Sequence, residues 1–210
     1  MQSLLTYLSS QLRSPSGLGG RLILRLLNRE NATMNQLTLT QLDVKMGQHI
    51  LEIGFGGGDL IDRLLRTERS LQITGIDPSL ASMAVVHNRF KREITAGQLT
   101  VHQAAAEALP FSDNAFDAVA TVNTLYFWSD ISAVLQNCRR VLKASGKLAI
   151  AYNSKAFLEE NQATQKGFRA YDEAEVETQM QQAGFTQIQT LSDNSVSNGQ
   201  FLCSCGVLTD

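Results

Sequence analysis

The stretch from Ile50 to Asp59, Ile-Leu-Glu-Ile-Gly-Phe-Gly-Gly-Gly-Asp, constrains the fold of this chain more than any other. An apolar run interrupted by one carboxylate feeds a turn crowded with glycine, and Leu60, Ile61, Leu64 and Leu65 then begin a helical period. That order reads as a strand, a tight loop and a helix. Glycine takes positive φ without steric penalty and lets a ligand approach the main chain. The helix start behind it presents unpaired N–H groups and the positive end of a dipole. The loop is therefore expected to cradle a small molecule.

Spacing narrows the kind of molecule. A dinucleotide fingerprint, G-x-G-x-x-G, seats a pyrophosphate over the helix start. Here Gly54, Gly56, Gly57 and Gly58 are followed by Asp59, at the position of that pattern's third glycine. A carboxylate at the helix mouth repels a pyrophosphate, while Glu52, two residues before the first glycine, can attract an ammonium group. A ligand with a positive amino group and no phosphate suits both, and S-adenosylmethionine is such a ligand. A nicotinamide-dependent oxidoreductase is disfavoured by the same two carboxylates.

The 210 residues, 43% of them hydrophobic, suffice for one domain with a sizeable core. A net charge of −2 gives no electrostatic footprint for nucleic acid. Cys138, Cys203 and Cys205 form no C-x-x-C pair and leave an odd count, which points to a reducing compartment. No apolar stretch approaches membrane-spanning length and no basic start leads into a long apolar run, so a cytoplasmic protein without an integral membrane segment is expected. His49, His87 and His102 are scattered, and no metal site is expected.

Ahead of the glycine loop, Leu4, Leu5, Leu8 and Leu12 fit one amphipathic helix, Pro15 to Gly20 break it, and Leu22, Ile23, Leu26 and Leu27 fit another. Arg21, Arg25 and Arg29 share that second helix's opposite face. They read as a solvated surface, or as a mobile lid touching an anionic or membrane-derived substrate, which leaves peripheral membrane contact open. Met34, Leu37 and Leu42 continue the helical pattern. Residues 1–43 are thus expected to form a helical cap and residues 44–210 the cofactor-binding domain.

After the loop, Leu71 to Asp77 reads as a second strand ending in an acid, and Ser79, following Pro78, opens a helix carrying Leu80, Met83, Ala84 and Phe90. Asp77 would project from the carboxyl end of its strand, where open α/β sheets bind ligands, and could accept two hydrogen bonds from a ribose diol. Further strands are expected at Leu99 to His102, Phe116 to Val122 and Lys147 to Ala151, with a last pair around Thr186 to Leu191 and Gln200 to Leu208. Between them, Ile131, Val134, Leu135, Cys138, Val141 and Leu142 mark a helix capped by Ser129. Asp172 with Glu175 makes a capping box for a helix carrying Val176, Met180 and Ala183. Strands alternating with helices, then a closing hairpin, indicate one α/β sheet with helices on both faces.

With these pieces in place the chain resembles the class I S-adenosylmethionine-dependent methyltransferases, most of all the small-molecule group that includes the ubiquinone/menaquinone biosynthesis methyltransferases. The resemblance runs from about Val44 to Leu208 and rests on an ordered set of motifs. Leu51-Glu52-Ile53-Gly54-Phe55-Gly56-Gly57-Gly58 is similar to the family's glycine motif, and Gly75-Ile76-Asp77-Pro78-Ser79 to its ribose-binding strand end. Ala106-Glu107-Ala108-Leu109-Pro110-Phe111 resembles the loop beside the adenine, Phe116-Asp117-Ala118-Val119 the fourth strand, Arg140-Val141-Leu142-Lys143 with Gly146 the approach to the fifth, and Ala183-Gly184-Phe185 the helix end before the sixth.

The resemblance implies a Rossmann-like, seven-stranded, mostly parallel sheet with an antiparallel last strand. It also implies that Glu52 and Gly54 lie near the methionine moiety of the cofactor, Gly56 and Gly58 beneath it and Asp77 on the ribose, with Phe55, Pro78, Ala106, Glu107 and Asn123 completing the contacts. Two departures stand out. Many relatives place an Asp just before Ala-Glu to accept from the adenine amino group, and this chain has Ala105; a backbone carbonyl or Gln103 would have to replace it. The usual Pro-Gly-Gly turn before the fifth strand is Ala144-Ser145-Gly146.

Methyl transfer from a sulfonium needs alignment and exclusion of water rather than a metal or covalent nucleophile, and a general base only when the acceptor must lose a proton. Residues leaving the fourth strand, Asn123, Thr124, Leu125, Tyr126, Phe127 and Trp128, are the acceptor-pocket candidates, foremost Asn123, Tyr126 and Trp128, with Phe127 expected to pack the following helix. Tyr7, Asn31 and Tyr171 could join them. Asn123-Thr124-Leu125-Tyr126 lacks the paired prolines of DNA amino-methyltransferases, which disfavours that substrate class. The expected function is methyl transfer to a small molecule; a non-catalytic, cofactor-binding sensor or partner protein is the alternative.

Overall fold

The computed structural model describes residues 31–160, 169–193 and 201–209. The two amphipathic helices expected ahead of residue 31, with Arg21, Arg25, Arg29 and Tyr7, lie outside the described residues. Within them the elements run α1 (Ala32–Leu42), β1 (His49–Ile53), α2 (Asp59–Thr67), β2 (Gln72–Ile76), α3 (Leu80–Arg89), α4 (Lys91–Thr95), β3 (Leu99–His102), β4 (Phe116–Val122), a 3-10 turn (Leu125–Phe127), α5 (Ile131–Val141), β5 (Leu142–Asn153), α6 (Lys155–Glu160), α7 (Glu173–Gln182), β6 (Phe185–Asp193) and β7 (Phe201–Leu208). The strands form one seven-stranded sheet in the order β3-β2-β1-β4-β5-β7-β6. Only β7 runs against the others, antiparallel to both β5 and β6. Among the described residues no helix is long and apolar enough to cross a membrane.

Period-two alternation divides the central strands between two cores. Leu51, Ile53, Val119, Leu148, Ile150 and Tyr152 pack with α5 and α7 on one face. On the other, the sheet presents Ala118, Ala120, Ala149, Ala151, Cys203 and Cys205 to α1, α2 and α3. These short side chains let α1 lie close to β4, β5 and β7, with Met34 and Leu42 buried against them. Polar bonds fix its position: Gln41 Nε2 donates to the Cys203 carbonyl at 3.2 Å, and Lys147 Nζ donates to the carbonyls of Leu42 at 3.0 Å and Gln41 at 3.3 Å. A cation on the last carbonyls of a helix both satisfies orphan acceptors and opposes the dipole. This segment, assigned to the cap by its sequence pattern, is built into the sheet layer.

Three local expectations change. The N-cap of α5 is Asp130, whose Oδ1 accepts from Ala133 N–H at 3.1 Å. Ser129 instead donates its N–H and its hydroxyl to Glu107 Oε1, both at 3.0 Å. On α3, Ser79 caps as expected, but the buried face carries Ser82, Val86 and Phe90 while Leu80 is 71% exposed. Positions four apart share a helix face, and Leu80 falls on the opposite one. The Ala144-Ser145-Gly146 turn becomes a bulge within β5, because the register passes from Phe116↔Leu142 to Ala118↔Lys147 with Ser145 at φ 62°. The capping box of α7 is formed as expected, with Asp172 and Glu175 each accepting the other's N–H at 2.8 Å.

Gly58 joins the glycine loop to this packing. Its φ is +76°, and a Cβ there would lie 2.7 Å from Phe90 Cε2 and 3.1 Å from Val86 Cγ2. Left-handed strain and overpacking add, so Gly58→Ala is expected to destabilise the fold by about 1–3 kcal/mol. The readout is a lower urea midpoint at unchanged slope.

Candidate functional site

The carboxyl ends of β1, β2, β4 and β5 open into a cavity of about 450 Å³, within the range of small-molecule sites. Gly54 begins it. At φ +77° it turns the chain out of β1, donates its N–H to the Ile76 carbonyl at 2.7 Å, and passes so close to the Thr124 methyl that a Cβ would collide with it. Phe55, Gly56 and Gly57 continue the lining, whereas Gly58, predicted beneath a ligand, is not part of it because it faces Val86 and Phe90 of the α3 layer.

Asp77 leaves the end of β2, where its Oδ2 accepts from Gly56 N–H at 2.9 Å and its Oδ1 from Ser79 N–H at 2.8 Å. Burial raises its pKa and these two bonds act against the rise. A carboxylate has about four acceptor sites, so capacity remains for a diol. Glu52, on β1, is 3% exposed, and its Oε2 has no hydrogen-bond partner among the described residues. Burial pushes its carboxyl to about 8; the nearby Asp77 and Asp59 raise it further and the Ile61 N–H lowers it. A buried, unpartnered carboxylate is costly as an anion and is relieved by a cation. Asp59, at the start of α2, is already served: its Oδ2 accepts from Asn35 Nδ2 at 2.7 Å and Arg63 Nε at 2.9 Å.

Three asparagines cross the cavity. Asn123, at φ +61°, donates its amide to Asn31 Oδ1 at 3.0 Å and accepts from Asn153 Nδ2 at 3.0 Å. The Asn153 N–H donates to the Tyr126 hydroxyl. Tyr126 is buried, and desolvation drives its pKa far above the ordinary value. Trp128 is also buried, yet both line the cavity; Phe127, expected to pack, lines it as well and is the more exposed of the three aromatics. Leu125 is the one turned wholly into the core.

The remaining wall is Pro78, Ala104, Ala105, Ala106 and Glu107. Gln103 does not line it; exposed, it donates its side-chain amide to the Pro78 carbonyl at 3.1 Å. Tyr171 also stays out, buried in the α5/α7 core with the Arg169 guanidinium 4.9 Å over its ring. Asn35, Asn153 and Leu158 line the cavity without having been singled out. Asn153 carried a signal, a polar side chain ending an apolar strand; Leu158 carried none. Among the described residues, no lining side chain is Lys, Arg or His, and no group of three or more His, Cys, Asp or Glu is placed to hold a metal ion.

A profile of the family described as a methyltransferase domain matches residues 51–150. Across those residues the chain is similar to that family. The chain is 34% identical over 121 residues to an uncharacterized methyltransferase, YdaC, of Bacillus subtilis, covering 58% of this chain and 65% of that one. It is 36% identical over 103 residues to a demethylmenaquinone methyltransferase of Thermotoga maritima, covering 49% and 42%. The chain thus covers less than two thirds of the length of these curated relatives. Among solved structures, a phosphoethanolamine N-methyltransferase of Haemonchus contortus, in complex with phosphomonomethylethanolamine and S-adenosylhomocysteine, superposes with a TM-score of 0.73 at 18% identity over 85% of this chain and 53% of that one. The chain therefore has the Rossmann-like fold expected from the sequence.

The position of Glu52 has a pH signature. Its folded pKa of about 8 stands above its ordinary value of 4.5, so the folded protein holds a proton that the unfolded chain releases between those limits. Stability therefore falls as pH rises through that window. Glu52→Gln is expected to flatten this slope and to melt higher than the parent at pH 8.5, by roughly 2–4 °C for each kcal/mol relieved. Thermal scans from pH 5 to 9 without ligand test it.

Proposed function

We propose that this chain is an S-adenosylmethionine-dependent methyltransferase that acts on a small-molecule acceptor by direct displacement. The observation that carries the reading is the buried Glu52 carboxylate, without a partner at Oε2 among the described residues, on the same cavity as Asp77. Those groups fit the cofactor: Glu52 would hold the α-ammonium, Asp77 the ribose diol, and Gly54, Phe55, Gly56 and Gly57 the body between them. Pro78, Ala106 and Glu107 would border the base and Asn123 the reacting end. The names of the relatives, a menaquinone-pathway methyltransferase and a phosphoethanolamine N-methyltransferase, support a small-molecule acceptor.

When bound, the cofactor supplies a methyl group made electrophilic by the sulfonium. The protein's part is placement. Asn31, Asn123 and Asn153 present fixed amides and Phe127 an open ring, which together orient an acceptor, while Trp128 and Leu158 exclude water. Placement of this kind lowers a barrier by about 7–11 kcal/mol in favourable cases. Tyr126, held protonated by burial, orients the Asn153 backbone rather than taking a proton. With no Lys, Arg or His on its lining among the described residues, the cavity favours a neutral or cationic acceptor over an anion.

S-adenosylhomocysteine at 100 times its Kd is expected to stabilise the protein by about 2.7 kcal/mol, with NADH giving no shift. Absence of binding at high micromolar concentration would sink the proposal. Asp77→Ala is expected to weaken that binding about 10–100-fold, the loss of charge-assisted hydrogen bonds worth about 1.5–3 kcal/mol, with far-UV circular dichroism unchanged. Incubation with S-adenosylmethionine and a panel of quinols, phenols and amines separates catalysis from the sensor reading that Ala105 favours, since a sensor binds the cofactor and yields no methylated product.

A further inference from the structure

We infer that the cofactor's base is bound without recognition of its 6-amino group, which opens to solvent at Ala105, so that this protein accepts cofactors altered at that position. The inference rests on the proposed binding of S-adenosylmethionine. With the ribose on Asp77 and the ammonium on Glu52, the base extends away from the glycine loop, to the wall made by Pro78 and Ala104 to Glu107.

The side chains on that wall do not read an exocyclic amine. Ala104, Ala105 and Ala106 end in methyl groups, and a methyl accepts no hydrogen bond. Gln103, the polar side chain just before them, is exposed, outside the lining and tied by its amide to the Pro78 carbonyl at 3.1 Å. The carboxylate of Glu107 is engaged by the protein itself: its Oε1 receives both the N–H and the hydroxyl of Ser129 at 3.0 Å and so fastens the base wall to the start of α5. The Ala105 carbonyl accepts from the Ala108 N–H at 3.2 Å, closing the turn.

The wall is also open. Pro78 and Ala105 are both exposed, and so is Leu80 just beyond them, whereas Ala106 is buried behind. A base lying against Pro78 and Ala106 therefore has its inner edge enclosed and its edge toward Ala105 in water. A group that stays in water in the complex contributes little discrimination, because water replaces any partner it loses. A site built to pair with that amine would behave otherwise, since removing the amine would strand a desolvated acceptor. Position 105 thus sets base selectivity, and alanine sets it to permissive.

The test uses calorimetric titration of the full chain with three ligands. They are S-adenosylhomocysteine, its 6-desamino analogue carrying purine in place of adenine, and its N6-benzyl analogue. Both analogues are expected to bind within about three-fold of the parent ligand. In Ala105→Asp, S-adenosylhomocysteine is expected to gain about ten-fold or more while the 6-desamino analogue gains nothing, creating a preference the parent protein lacks. A loss of ten-fold or more with either analogue on the parent protein, while S-adenosylhomocysteine still binds, overturns this inference and leaves the cofactor assignment standing. Failure of all three to bind overturns both. Should Ala105→Asp not fold, the two analogue affinities on the parent protein decide the matter alone.

Discussion

Two backbone N–H groups, one from Gly56 and one from Ser79, converge on the Asp77 carboxylate, and the geometry of the whole site depends on that convergence. The first belongs to the turn leaving β1, the second to the cap of α3. A single side chain therefore sets the distance between the glycine loop and the neighbouring strand end. The same residue is the strongest candidate to meet a ligand's diol, so positioning and binding are vested in one carboxylate. Its partial burial costs free energy that the two N–H bonds offset. Glu52, one strand away, lacks the equivalent compensation at Oε2, and this difference separates an acid that shapes the loop from an acid that waits for a counter-charge.

The other boundary of the site is set from α1. Asn35 reaches the Asp59 carboxylate at the head of α2, and Asn31, just ahead of α1, bonds Asn123 at the end of β4. The position of α1 is itself fixed by the small side chains beneath it and by Lys147 at its carboxyl end. Residues that line the cavity thus depend on a packing layer on the β5–β7 side of the sheet.

Most of the fold was legible in the sequence because its elements are short, alternate regularly and carry strong punctuation. Glycines mark the β1 exit, Ser79 and Asp172 mark helix starts, and buried parallel strands such as Phe116–Val122 read as mostly apolar runs. What was misread depends on contacts between distant segments. Ser129 and Asp130 both have capping side chains, and the choice between them is made by Glu107, which captures Ser129 from another loop. Leu80 looked like a core residue until helical phase placed Val86 and Phe90 inward instead. Among the cavity-lining residues, Asp77 and Asn123 directly follow strand ends and Glu52 stands just before the glycine turn, positions the sequence pattern marks. Gly58 looked equivalent to its neighbours, and the side chains of Val86 and Phe90 distinguish it. Asn35 and Leu158 enter through the packing of helices distant from the glycine motif, which no local pattern records.

The sheet face made of Ala118, Ala120, Ala149, Ala151, Cys203 and Cys205 has a consequence beyond close packing. Each of these side chains is a shim under α1, and the height of the stack decides where Asn31 and Asn35 stand relative to the strand ends. The aperture of the site is therefore written partly in residues that never meet a ligand. Exchanging a methyl for a larger group in the floor below would shift that aperture and leave the lining above untouched.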